Sequence, residues 1–237
     1  MSSPISEDVA KLRRVARYLI NSGRLVQIFK WQEDLRFIKV YTDSDWAGDS
    51  KTAKSTSGGC VMYGEHLWKS WASTQQVIAT SSGEAELYAV TKGAAQAMGM
   101  VSMSLDFGDV MTATVACDAN AAIGIAHRQG LGKLRHINVQ YLWLQEKVAD
   151  KEMKIEKVGA NDNLADLLTK ALNEQVSRRH LSTMGIWTSS GRAKSQASLK
   201  RITKLARAKV NAVENVAAID GATSPQSPIG LSGSQQK

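Results

Sequence analysis

The 237-residue chain reads as an α/β protein built on a mixed sheet, an antiparallel meander extended by parallel strands with helices on its faces. Three observations predict this. Short β-branched and aromatic segments, Arg36 to Thr42, Gly59 to Tyr63 and Leu67 to Ala72, follow one another with only turn-forming residues between them. A long stretch of helical periodicity then separates them from a fourth β-rich segment, Thr112 to Cys117. From there helical and strand patterns alternate to Leu172, giving the order β-β-β-α-β-α-α-β-α.

The elements follow from local chemistry. Ser6 to Ile20 is predicted as a helix capped by Ser6, with Glu7 and Asp8 in its first turn and an apolar stripe of Val9, Leu12, Val15, Ala16 and Leu19. Lys11, Arg13, Arg14 and Arg17 lie off that stripe, on a face read as solvated. Asn21-Ser22-Gly23 ends it, and Leu25 to Trp31 suits an edge strand. Asp49 to Gly59 is a polar loop, and Gly64-Glu65-His66 joins the next two strands as a hairpin. Ser81-Ser82-Gly83-Glu84 fits a capping box, in which Ser caps the helix and Glu reaches back to the cap amide. Leu87, Val90, Ala94, Met98 and Val101 then give a core-facing period that ends near Phe107-Gly108. Ala119 to His127, His136 to Ala149 and Asn163 to Leu172 read as helices, and Lys154 to Val158 as a strand.

Charge is unevenly placed. Of the net +8, an excess of +6 lies between Ile186 and Lys237, so the remainder is nearly neutral. Within that tail, Gln196 to Ala218 has a basic amphipathic spacing, and Gly221 to Lys237 has the Gly/Ser/Pro/Gln composition of disorder. A basic balance favours a polyanionic partner. Cys60 and Cys117 have no zinc-type spacing and read as reduced, partly buried thiols. No apolar run reaches bilayer length and no signal-peptide core follows Met1, so a cytoplasmic or nuclear location with no membrane partner is expected.

The candidate chemistry lies in acids at element ends. Asp43 ends the first strand of the meander, Glu84 and Glu86 open the long helix, Asp118 ends the fourth strand, and Asp166 lies near the start of the last helix. In a sheet of this order the strands of Asp43 and Asp118 are neighbours, and the two helix starts can bring Glu86 and Asp166 to the same edge. Carboxylates gathered there repel unless cations separate them, and two Mg²⁺ ions about 4 Å apart resolve this while supplying a hydrolytic mechanism. Each acid also has a duller explanation. Asp43 and Asp45 suit a turn before Gly48, Asp118 suits a cap on the helix at Ala119, and Asp166 suits a solvated face. Glu84 is the better capping-box partner, which leaves Glu86 for catalysis.

These residues resemble a known family, the RNase H domain of copia-type long-terminal-repeat retrotransposon Pol polyproteins. The matching blocks are Tyr41-Thr42-Asp43-Ser44-Asp45-Trp46-Ala47-Gly48-Asp49, Lys54-Ser55-Thr56-Ser57-Gly58 and Ser81-Ser82-Gly83-Glu84-Ala85-Glu86-Leu87. They continue as Cys117-Asp118-Ala119-Asn120-Ala121-Ala122-Ile123, Arg135-His136-Ile137 and Asn163-Leu164-Ala165-Asp166-Leu167-Leu168-Thr169-Lys170. The resemblance runs from about residue 38 to 185, and Asp8 to Leu19 resembles the connector to a reverse transcriptase domain. It implies a five-stranded RNase H-like fold and hydrolysis of the RNA strand of an RNA–DNA hybrid during reverse transcription. The implied catalytic and metal-binding acids are Asp43, Glu86, Asp118 and Asp166, with two Mg²⁺ ions for which Mn²⁺ can substitute. Product is expected to carry a 3′-hydroxyl and a 5′-phosphate. Asn120, Arg135 and Lys170 are expected to meet substrate, Asn120 through a sugar hydroxyl and the other two through phosphates. Trp46, Trp68 and Trp71 are expected to pack rather than to stack on bases.

The expected organisation is a connector over 1–30, an RNase H-like domain over 31–187 and a basic, largely disordered tail over 188–237. With no Tyr-x-Asp-Asp motif, zinc knuckle or aspartic-protease triplet, the chain reads as a C-terminal fragment whose parent supplies a reverse transcriptase partner. It departs from the pattern in having no histidine over Gly159 to Asn163, and in Asn138 and Gln140 where members often show Asp and Arg. His136 falls on a family position and is read as structural. Two rival readings are a non-catalytic nucleic-acid-binding remnant of a decayed element and a DDE integrase or transposase using Asp43, Asp118 and Glu152.

Overall fold

The structure, a computed structural model, describes residues 5–130 and 140–191. The chain divides into two compact units, Met1–Ser189 and Ser190–Lys237, and of the second only Ser190 and Gly191 are described. The first unit holds a five-stranded mixed sheet of order β4-β3-β2-β5-β6. Strands β2 (Phe37–Asp45), β3 (Thr56–Tyr63) and β4 (His66–Thr74) form the antiparallel meander. β5 (Thr112–Cys117) joins β2 in parallel, and β6 (Met153–Lys157) joins β5 in parallel. Strand order and directions are those implied by the RNase H-like reading.

The apolar pattern of α2 (Ser82–Asp106) explains where the sheet is covered. Leu87, Val90 and Ala94 are buried against Ile38 and Val40 of β2, Val61 of β3 and Val115 of β5, while Met98 and Val101 pack at the edge of this core. Gly93 allows close approach, since a Cβ there would collide with Thr42 Cγ2. Helices α3 (Asn120–His127) and α4 (Gln140–Ala149) extend the same core with Ala122, Ala126, Tyr141 and Leu144. Cys60, Met62, Leu164 and Met184 make a second, smaller cluster. Both cysteines are free and buried, and burial pushes each thiol up to about 12, which keeps them as inert thiols.

Several expectations are corrected. Helix α1 (Ser6–Asn21) forms, but its cap position is Ile5, whose amide donates to Asp8 Oδ2 at 3.1 Å, so Ser6 is not the cap. Its stripe is exposed, Leu12 by 51% and Leu19 by 65%, so amphipathic spacing here does not mark a buried face. The segment expected as an edge strand contributes only β1 (Arg24–Gln27), which pairs outside the main sheet with an unexpected strand, β7 (Ile186–Ser189). Instead of one helix from Asn163 to Leu172 there are two 3-10 turns, Ala160–Asp162 and Leu164–Leu168, followed by a separate helix α5 (Glu174–Thr183). Asn163 and Asn173 explain the interruption, because each uses its side chain to cap a new start, on Ala165 N at 3.2 Å and Val176 N at 2.9 Å. Strand β3 begins at Thr56, so the polar loop is shorter than expected.

Among the described residues no helix is long and apolar enough to cross a membrane. The expected basic helix and disordered end of the tail, together with the start of the helix expected from His136, lie outside the described residues.

Candidate active site

Parallel pairing of β2 and β5 sets the site. Tyr41 faces Ala116 in the register, so Asp43 and Asp118, each two residues further on, emerge side by side at the carboxyl edge of the sheet. Asp43 is wholly buried inside β2, not in a turn. Asp45 ends the same strand by accepting from the Thr56 amide, at the close of the β2–β3 ladder. The cap position of α3 is Ala119, without a side-chain cap bond, so helix capping does not account for Asp118.

From the first turns of α2, Glu86 reaches over that edge and accepts a hydrogen bond from the Ser44 amide at 3.3 Å. Asp43, Glu86 and Asp118 each present an oxygen within 4.8 Å of the others. Glu84 is engaged elsewhere. Ser81 Oγ accepts from the Glu84 amide at 3.2 Å, and the Glu84 carboxylate takes the Thr80 amide at 2.8 Å, the Thr80 hydroxyl at 2.6 Å and the Tyr88 hydroxyl. It therefore fixes the residue before the cap, one position earlier than a standard capping box.

Asp166 comes to the site by a different route. Asn163 Nδ2 donates to the Thr42 carbonyl at 3.0 Å, pinning the 3-10 turn to β2. Gly58 lets the turn lie against β3, since a Cβ there would meet Thr169 Cγ2 at 2.6 Å and Leu168 Cβ at 2.9 Å. Thr169 then donates its hydroxyl to Asp43 Oδ2, and Lys170 Nζ lies 3.0 Å from both Asp43 Oδ1 and Asp166 Oδ1. Asp166 is thus joined to Asp43 through a shared ammonium, apart from the close triad.

At 4.8 Å two full charges repel by about 3 kcal/mol at an effective dielectric of about 20. Burial, followed by the negative charges of Asp43 and Asp118, accordingly pushes the Glu86 carboxyl from an ordinary 4.5 up to about 8. Burial also raises Asp43, against the opposing hydrogen bonds from Thr169 and Lys170. For Lys170 burial disfavours the charge, but the bonds to Asp166 and Asp43 outweigh it and raise its pKa. Glu86 Oε2 is buried with no hydrogen-bond partner among the described residues. An all-oxygen donor set with an orphaned carboxylate oxygen fits a hard divalent cation.

Known proteins match the chain in sequence. It is 30% identical over 193 residues to the retrovirus-related Pol polyprotein from transposon RE1 of Arabidopsis thaliana, covering 78% of this chain and 13% of that protein. It is 29% identical over 176 residues to the corresponding polyprotein of transposon TNT 1-94 from Nicotiana tabacum, covering 73% of this chain and 13% of that protein. This chain is a relative of the Pol polyproteins of plant transposons. It spans about 13% of the length of these curated relatives. No protein-family model matches it. Among solved structures, an RNase H1 isolated from compost aligns with a TM-score of 0.40 and 16% identity, covering 56% of this chain and 93% of that one. The fold assignment rests instead on strand order and direction.

In this Pol-related chain the remaining expected residues are placed as follows. Asn120 is exposed at the first position of α3, two residues from Asp118. Arg135, His136 and Asn138 lie outside the described residues. Lys170 is held by the carboxylates, where a phosphate contact was expected. Glu152 is removed from the site. It sits at the amino end of β6 with both oxygens on Lys147 Nζ at 2.8 Å, a strand's length or about 20 Å from the acidic edge. The DDE alternative therefore loses its third acid. Trp46 donates its indole N–H to the Ala79 carbonyl at 3.2 Å but is 55% exposed, Trp68 stacks on Tyr63 at 4.8 Å, and Trp71 covers Gly59. Sequence reading gave no role to Thr169 or to the Asn163 clamp. The only signal was their spacing around Asp166, three residues before it and three after.

Proposed function

We propose that the chain carries an RNase H domain that hydrolyses the RNA strand of RNA–DNA hybrids, with a reverse transcriptase domain as its partner in the parent polyprotein. The observation that carries this reading is the triad of Asp43, Glu86 and Asp118, delivered by three separate elements to one sheet edge with a buried oxygen that has no partner among the described residues. Sequence kinship with plant-transposon Pol polyproteins supports the context.

Asp43, Glu86, Asp118 and Asp166 are the residues that would hold two Mg²⁺ ions, with Mn²⁺ as a substitute. When bound, such ions supply an activated water and stabilise the leaving oxygen. The protein's own part is placement. β2 and β5 fix Asp43 and Asp118 on rigid strands, the Ser44 amide orients Glu86, and the Asn163 clamp sets Asp166. Water adds to phosphorus, the P–O3′ bond breaks, and the departing oxygen takes a proton to leave a 3′-hydroxyl and a 5′-phosphate. Asn120, Arg135 and Lys170 are assigned to sugar and phosphate contacts. Residues 1–30 are assigned as the connector, 31–187 as the RNase H-like domain and 188–237 as a basic appendage.

The test is incubation of the full chain with a hybrid labelled separately on each strand, in Mg²⁺ and in chelator. Cutting confined to the RNA strand and abolished by chelator supports the proposal. Hybrid that is bound but left intact in both Mg²⁺ and Mn²⁺ would replace it with the binding-remnant reading.

A further inference from the structure

We propose that Lys170 is a built-in counter-cation. It closes the Asp43–Asp166 pair while the metal is absent and yields that place when the metal enters, which frees its ammonium for the substrate phosphate. This deepens the hydrolase reading and rests on it for the identity of the metal.

The geometry makes Lys170 a bridge, not a surface ion pair. Its ammonium is 3.0 Å from Asp43 and 3.0 Å from Asp166, and the side chains of those partners are only 1% and 12% exposed. A buried carboxylate without a cation is costly, so Lys170 compensates Asp43 in the metal-free protein. The lysine side chain is itself 42% exposed, on a flexible stem that can withdraw toward solvent without unfolding anything. The Lys170 amide donates to the Asp166 carbonyl at 2.9 Å, which keeps the withdrawn ammonium near the site.

Two cation positions therefore differ in kind. Among the described residues Lys170 touches only the Asp43 corner of the Asp43–Glu86–Asp118 triad, and Glu86 Oε2 has no hydrogen-bond partner among them. Between Asp43 and Asp166 the place is already taken. A divalent ion entering there must break two charge-assisted hydrogen bonds and displace a like charge. Its apparent affinity is reduced by that competition. Once displaced, the ammonium stands beside the metal-loaded edge, where a phosphodiester would meet it.

The test uses the full chain, Mn²⁺ alone and no nucleic acid. Calorimetric titration and Mn²⁺ paramagnetic resonance are compared for wild type, Lys170→Met and Lys170→Arg, with thermal melts in chelator. Lys170→Met should bind its weaker Mn²⁺ on the order of tenfold more tightly and melt lower in chelator, because Asp43 loses its counter-ion. Lys170→Arg, which keeps the charge, should stay close to wild type in both. Unchanged or weaker Mn²⁺ affinity in Lys170→Met overturns the proposal, as does an equal gain in Lys170→Arg. Hybrid cleavage by wild type separates the two readings. Tighter Mn²⁺ binding without cleavage retires the hydrolase and keeps the counter-cation, and cleavage with unaltered Mn²⁺ affinity does the reverse.

Discussion

Glu86 sits where the site's charge balance turns. Without metal, burial and two neighbouring carboxylates raise it to about 8, so it is largely protonated at neutral pH. A folded-state pKa raised above the ordinary 4.5 contributes stability that is whole below that value and lost as pH rises through about 8. Asp43 is raised too, so it acts in the same direction. In chelator the melting temperature should therefore fall as pH rises from about 5 to about 9, and Glu86→Gln should flatten that fall. Saturating Mg²⁺ should also flatten it, because a cation takes over from the proton. Thermal melts across the range check this, and a wild-type profile that rises with pH would refute it. That Glu84 is engaged at the helix start while Glu86 reaches the acidic edge was legible in the sequence through capping chemistry. The partners of Glu84 were not, since the Thr80 amide and the Tyr88 hydroxyl reach it only through the folded turn.

At the scale of elements, the placement of Asp166 depends on one turn lying flat on the sheet. Gly58→Ala would put a methyl group 2.6 Å from Thr169 and 2.9 Å from Leu168, lifting the turn that carries Asp166 and Lys170. Expected costs are about 1–3 kcal/mol of stability and a loss of hydrolysis, read by denaturant unfolding and single-turnover cleavage. Gly99→Ala is the control. Exposed in the interior of α2 with nothing within 4 Å of an added Cβ, it should stabilise by about 0.5–1 kcal/mol and leave cleavage alone. Asn163→Ala removes the donor to the Thr42 carbonyl and should cost about 1–3 kcal/mol through that buried, unpaired oxygen. The five strands of the main sheet and α2 were legible because burial imposes their periodicity, whereas β7 is short and largely exposed. The 3-10 turns were not. Leu164, Leu167 and Leu168 fit a helical period, and only the two capping asparagines mark the break. Exposure of the α1 stripe was equally hidden, since periodicity reports an amphipathic face but not whether anything covers it.

For the whole molecule, strand order converts a scattered set of acids into a site. Asp43 and Asp118 are 75 residues apart, yet adjacent because β5 inserts beside β2 in parallel. That adjacency was readable from element order alone, and the same sheet carries Glu152 to the opposite edge. What element order could not supply was the Lys170 bridge, which depends on side-chain reach. Hydrolysis at this acidic edge is tested by strand-resolved cleavage of an RNA–DNA hybrid in Mg²⁺ by wild type and by Asp118→Asn, which preserves shape and removes one ligand charge. Wild type should cut the RNA strand, and the variant should lose at least about a hundredfold of that rate. Equal cutting by the two proteins, or cutting of the DNA strand, would contradict it.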